Sequence, residues 1–249
     1  MTPVLIGIFL AIFAGAALQR ISGMGLGLIA APALSVLLGP VSGVLMVNVL
    51  ATANAIANTY SMRERVDWKR FAPIAGALVL GAAPGAFLIR AVSTSLLLII
   101  VGVLLLIALG TVTLGKRYIP NIEGTVPSVI AGSLGGFMNT LAGVAGPSIT
   151  VYAHAARWPK EIYAATLQPI FLVSGALSFA IKEITGAANL SAVTPETWVV
   201  GIFAMVLGIV VGTRMAPRVP VQLGYRIALA LAIFGGFTAL VRGLLGTEA

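Results

Sequence analysis

The sequence has no cysteine, one histidine and only 7 acidic residues in 249. The missing thiols exclude disulfides, thiolate metal sites and thiol relays within this chain. Charge of either sign is scarce: 9% of residues are charged, where a soluble domain carries about a quarter. A chain so poor in charge cannot cover a water-facing surface. Every acid (Glu64, Asp67, Glu123, Glu161, Glu183, Glu196, Glu248) lies in a connector or at the end of an apolar run. No carboxylate is left inside the runs for a proton relay or a sodium cage. No catalytic residue, metal ligand or cofactor is expected.

What is abundant is apolar. Hydrophobic residues make up 59% of the chain, which reads as a polytopic helical membrane protein. Apolar segments fall at about 4–19, 24–38, 41–62, 70–89, 95–115, 125–138, 144–156, 160–181, 197–213 and 224–241. They leave no room for a separate soluble domain. The first has no Lys or Arg before it, so it reads as a membrane segment rather than a cleaved signal. Segments two, six and seven are short for a span of about 20 residues.

The net charge of +8 does not point to nucleic acid, because the bases sit in connectors, where the positive-inside rule puts them. With the N-terminus outside, one face receives Arg20, Arg63, Arg65, Lys69, Arg70, Lys116, Arg117, Arg157, Lys160, Arg214, Arg218 and Arg226, and the other Arg90, Lys182 and Arg242. That split of 12 to 3 predicts that the first face is cytoplasmic and both termini are external. Glu183, Glu196 and Glu248 then balance the outer bases. The pair 125–156 must enter and return, with a tip near 139–143. The pair 4–38 carries its tip near 20–25, pointing the other way.

Both tips are rich in helix breakers, "QRISGMGLGLIAAP" at 19–32 and "FMNTLAGVAGPSI" at 137–149. The halves match: Ala14-Gly15 with Ala131-Gly132, Pro32 with Pro147, Gly39-Pro40 with Trp158-Pro159, and Gly81/Gly85 with Gly208/Gly212. Five segments per half make the second copy upside down, a plan found in transporters. The expected fold is therefore all-α and polytopic. It holds two inverted five-segment repeats, 1–118 and 119–249, each opening with a broken or re-entrant hairpin. Broken backbone is tolerated at membrane depth where it lines a polar cavity, and helix N-termini there suit an anion.

The candidate substrate-binding residues are Gln19, Arg20, Ser22, Gly23, Gly25, Gly27, Asn48, Thr52, Asn139, Gly143, Gly146, Ser148 and Gln168. Neutral amides and hydroxyls bond an oxyanion without requiring one protonation state. The competing reading for such residues is helix packing and interhelical hydrogen bonding. That reading is the stronger for Gly81, Gly85, Gly208, Gly212, Asn54, Asn58 and Ser174. Arg20 is either an anion attractor in a cytoplasmic vestibule or a snorkelling cation. His154 is either a proton-coupling group or an interfacial histidine.

"AGAALQRISGMGLGLIAAPAL", its weaker copy "AGSLGGFMNTLAGVAGPSI" and the two-half plan resemble the TauE/SafE family of sulfite and organosulfonate exporters, over nearly the whole chain. The resemblance implies a multi-pass exporter of small sulfur-containing anions in the bacterial cytoplasmic membrane. Its partners would be a small inorganic or organic sulfur oxyanion and the lipid bilayer, with no nucleic acid and a homodimer left open. Two other readings remain at this point: an anion channel of the same architecture, and an intramembrane serine hydrolase using Ser174 or Ser148 with His154.

Overall fold

Ten apolar runs become ten α-helices in the computed structural model of the chain, which describes residues 2–23, 26–114 and 121–246. They are α1 (Pro3–Ser22), α2 (Leu26–Leu38), α3 (Pro40–Met62), α4 (Trp68–Ala91), α5 (Thr94–Leu114), α6 (Thr125–Ala142), α7 (Gly146–Ala155), α8 (Lys160–Thr185), α9 (Pro195–Met215) and α10 (Val221–Leu245). Short 3₁₀ turns occupy Arg63–Arg65 and Leu190–Ala192. Prolines open α1, α3 and α9, where a missing N–H costs nothing. The Asp67 carboxylate caps α4 by accepting from the Lys69 and Arg70 N–H groups, each at 3.1 Å. Six helices (α1, α3 with its 3₁₀ extension, α4, α8, α9 and α10) are long and apolar enough to cross a membrane. At 13 and 10 residues, α2 and α7 are not; at 1.5 Å per residue they reach only about 20 and 15 Å.

α1 and α2 form an antiparallel pair. Gly15 lies against Leu26 near the tip and Gly7 against Leu37 at the open end. α6 and α7 form a second pair. Gly135 lies against Ser148, and at the open end the Ile122 N–H donates to the Ala155 carbonyl at 3.2 Å and the Tyr152 hydroxyl to the Gly124 carbonyl at 3.1 Å. Each pair thus starts and finishes on one side of the molecule.

The two halves exchange partners. α9 lies along α1, and α4 along α6. Small residues set both seams: a Cβ on Gly208 or Gly212 would strike the backbone of Phe13 or Ala17, and one on Gly81 the backbone of Ser133. Such close approach is what small residues at a spacing of four permit. α3 crosses α8 at the centre, where Gly175 touches the Asn48 carbonyl and the Thr52 side chain, and α5 lies along α10. The main apolar cluster draws on both halves, with Ile8, Ile12, Leu34, Met46, Val144 and Met205 in one core.

Two sequence expectations are corrected. Pro32 does not break a helix: α2 runs through it, while Pro147 opens α7, so the two prolines hold different places. A membrane helix tolerates an internal proline when neighbours satisfy the freed carbonyl. Lys182, expected in an outer connector, lies in the last turn of α8 with 0% of its surface exposed. Helix α8 continues to Thr185, and residues 187 and 188 fold back so that their N–H groups reach the Lys182 carbonyl. Gly25, together with Met24, Lys116 and Arg117, lies outside the described residues.

Candidate functional site

Both helix pairs turn at a glycine in the left-handed region, Gly23 with φ 82° and Gly143 with φ 68°. Any other residue there costs about 1–2 kcal/mol. Each glycine N–H closes its helix on the carbonyl four residues back, Gln19 and Asn139, both at 2.9 Å. The side chains of those two residues are amides, both buried. The tips touch, because Gly27 at the start of α2 lies directly against the Gly143 carbonyl. A side chain at Gly27 would drive them apart.

Between the tips is a cavity of about 50 Å³, lined by Gln19, Gly27, Leu28, Ala51, Asn139, Gly143, Val144, Ala145, Gly146, Phe171 and Gly175. It holds roughly three or four waters or one small oxyanion. No charged side chain lines it. The Gln19 side-chain oxygen accepts from the Leu26 N–H at 3.1 Å, so this amide ties α1 to the start of α2. The Asn139 amide nitrogen lies 3.2 Å from the Asn48 side-chain oxygen, 3.1 Å from the Ser174 carbonyl and 3.0 Å from the Ser178 hydroxyl. Ser178 also meets the Thr140 hydroxyl at 3.0 Å. Around this network the Asn48 amide nitrogen and the Ser174 hydroxyl are buried without a hydrogen-bond partner among the described residues. Buried donors are normally satisfied. These two are free to bond an acceptor that enters.

The predicted residues divide. Gln19, Gly27, Asn139, Gly143 and Gly146 line the cavity, Gly23 shapes the turn beside it, and Asn48 supports Asn139. Thr52 donates to the Asn48 carbonyl at 2.7 Å and sits behind Gly175. Ser22 and Ser148 donate to carbonyls close by in the chain, Leu18 and Ala145. Arg20 reaches out of the cavity to the Asn58 side-chain oxygen. Gln168 donates to the Ala164 carbonyl at 3.2 Å, and its own oxygen is buried without a partner. Phe171, Gly175 and Ser178 were not singled out from the sequence. Their signal is helical spacing: with Ser174 they form one face of α8.

A second hollow of about 240 Å³ lies near the starts of α4 and α6, lined by Lys69, Arg70, Glu123, Tyr152 and Trp158 among others. There Arg70 pairs with Asp67 at 3.1 Å and stands over the Trp158 ring at 5.2 Å, so its charge is engaged. A third, of about 410 Å³, is almost wholly apolar, between α1, α2 and α10. Among these three, only the hollow between the tips carries buried amides from both helix pairs.

A family model described as the sulfite exporter TauE/SafE matches residues 8–240. The chain belongs to the TauE/SafE family. Searches for similar curated proteins and for similar solved structures find no match. Membership makes this TauE/SafE protein a membrane transporter by family, with sulfite or organosulfonates as the family's cargo. The match runs through both helix tips. Of the side chains in the hydrolase reading, Ser148 donates to the Ala145 carbonyl, and the His154 ring stacks on Tyr163 with centroids 5.9 Å apart.

Proposed function

We propose that this TauE/SafE protein is a carrier that exports sulfite or small organosulfonates across the cytoplasmic membrane. The cavity between the tips holds the anion and opens to each side in turn. The observation that carries the reading is the meeting of two broken helix pairs, Gly27 against Gly143, at a small uncharged cavity flanked by unused donors. An oxyanion finds hydrogen bonds there without meeting a carboxylate.

The inverted repeat is part of this proposal, and the register of the contacts supports it. A shift of 120 residues carries Gln19 to Asn139, Gly23 to Gly143, and Phe13 and Ala17 to Ser133 and Phe137. A shift of 127 carries Gly81 and Gly85 to Gly208 and Gly212, the residues facing those same pairs. The bonded pair Arg20 and Asn58 maps onto the bonded pair Thr140 and Ser178. One set of packing solutions is therefore used twice, by repeats 1–118 and 119–249. Two related halves that exchange helices around one site suit rocking between inward and outward states. The charge split favours external termini.

Export down the potential needs no coupling ion. An anion leaving a cell that is negative inside gains about 2.3 kcal/mol per charge per 100 mV. Purified protein in liposomes, assayed with sulfite, methanesulfonate, sulfate and acetate, tests the proposal. Saturable flux of sulfite or methanesulfonate, with counterflow, is the expected result. Absence of flux for both sinks the substrate assignment. Flux without counterflow makes the protein a channel.

A further inference from the structure

Among the described residues Lys182 is the largest fully buried side chain, and its ammonium finds no hydrogen-bond partner there. The carboxylate next to it in the chain, Glu183, is turned to the Leu190 N–H instead. An unpaired cation inside a protein costs several kcal/mol unless something compensates it, and an ionisable group within a membrane span marks a pathway by default. Snorkelling does not explain this lysine, since a snorkelling ammonium is in water.

Its place in the fold gives it a task. Ser174, Ser178 and Lys182 recur every four residues along one face of α8. Ser178 bonds Asn139, which lines the cavity between the tips. A long helical side chain leans over the turn before its own Cα, which for Lys182 is the turn of Ser178. Asn139 bonds Ser178, and Lys182 follows one turn beyond Ser178 on the same face of α8, toward its C-terminal end. At the place that a shift of 120 matches to Ser178 stands Asn58 of α3, whose side-chain oxygen accepts from Arg20 of α1. One base thus stands at Asn58, and another, Lys182, one turn beyond Ser178 on α8.

Resting on the reading of this protein as an oxyanion exporter, we propose that Lys182 is the counter-charge for the anion on the half of the path toward the end of α8. The anion leaves the neutral cavity along Asn139 and Ser178 and pairs with the ammonium before release. The unpaired lysine is then the empty state of an anion subsite.

The test uses Lys182→Met, which keeps length and removes charge, and Lys182→Arg, which keeps charge. In liposomes, Lys182→Met should raise the KM for sulfite or methanesulfonate at least about tenfold, the loss expected for one charge-assisted contact, and Lys182→Arg should keep measurable flux. In detergent, sulfite should raise the melting temperature of the wild type and of Lys182→Arg and leave that of Lys182→Met unchanged. Without anion, Lys182→Met should melt at or above the wild type. Wild-type KM and flux in Lys182→Met overturn the proposal. So does a Lys182→Met protein that fails to insert while Lys182→Arg inserts, which would make the ammonium structural. Failure of the exporter reading looks different: the wild type itself moves no sulfur anion. In that event the melting shifts with chloride, sulfate and acetate decide, and equal shifts in wild type and Lys182→Met, or none in either, overturn the role of Lys182.

Discussion

Two asparagines show how burial alone misleads about a polar side chain. Asn139 and Asn54 are both almost fully buried. Asn139 reaches three acceptors, whereas neither polar side-chain atom of Asn54 has a partner among the described residues. Removing a donor from satisfied acceptors costs about 1–3 kcal/mol, while removing an unpaired amide costs little or stabilises. Asn139→Leu should therefore lower the melting temperature and reduce flux, and Asn54→Leu should leave the melting temperature equal or higher; equal losses in thermal melts would show that Asn54 has a partner of its own in the membrane. Gly27 makes a sharper case. Its missing Cβ is what lets the tips touch, since that atom would stand 2.5 Å from the Gly143 carbonyl oxygen. Gly27→Ala should insert and purify as wild type yet lose most sulfite flux in liposomes, because the added methyl occupies the closure between the tips. Full flux in Gly27→Ala would mean that the tips need not meet during transport.

At the scale of helices, single glycine positions along the seams α1–α9 and α4–α6 differ in what they tolerate. A Cβ at Gly212 would stand 2.5 Å from the Ala17 carbonyl oxygen and 2.8 Å from its Cα, a backbone that cannot step aside. A Cβ at Gly85 would stand 3.1 Å from Thr140 Cβ and 3.2 Å from its methyl, which a small shift relieves. At Gly76 the space is open. Overpacking costs typically about 1–3 kcal/mol, and alanine gains roughly 0.5–1 kcal/mol over glycine within a helix. Melting temperatures should thus fall in the order Gly76→Ala, Gly85→Ala, Gly212→Ala, with Gly76→Ala at or above wild type; Gly212→Ala melting with Gly85→Ala would show that the Ala17 backbone yields as readily as the Thr140 side chain. Much at this scale was legible in advance. All ten helices match the apolar runs with ends displaced by a few residues, because an apolar run of that length has no stable form in lipid except a helix. The Gly spacing announced the seams. What the spacing does not carry is which helix lies across it: α9 beside α1 and α4 beside α6 are contacts between halves, set by three-dimensional closure. The proline match failed because a proline in a membrane helix is read as a break, while its neighbours decide whether it is one.

For the whole molecule, charge is the coordinate that remains to be tested. The candidate site was half legible: Gln19 and Asn139 were marked by their closeness to the glycines, but Phe171, Gly175 and Ser178 sit inside an unbroken helix and carry no local mark. Lys182 was misread for the same reason. Beside Glu183 and near a helix end it resembles any interfacial base, and only the folding back of residues 187 and 188 onto its carbonyl shows it inside. Moving Lys182 indoors leaves the proposed bias of bases between the faces standing on the other residues. Arg65 and Arg90 are both exposed and stand at opposite ends of α4. Because the chain has no cysteine, Arg65→Cys and Arg90→Cys each introduce a single thiol; in intact cells an impermeant thiol reagent should label the second and spare the first, and the reverse pattern inverts the topology. The final prediction follows from what the cavity lacks. Among the described residues no acid lines it and none lies in the interior of a helix, so no carboxylate there carries a proton along with the anion. Each turnover should then move net negative charge. A potential of 100 mV, worth about 2.3 kcal/mol per charge, shifts the equilibrium distribution of a monoanion about fiftyfold. Vesicles loaded with sulfite and given an inside-negative potassium diffusion potential should therefore empty faster than vesicles at zero potential, and an inside-positive potential should slow them. Efflux indifferent to both signs would require a compensating proton, and His154, stacked on Tyr163 near the end of α7, would be the side chain to substitute next.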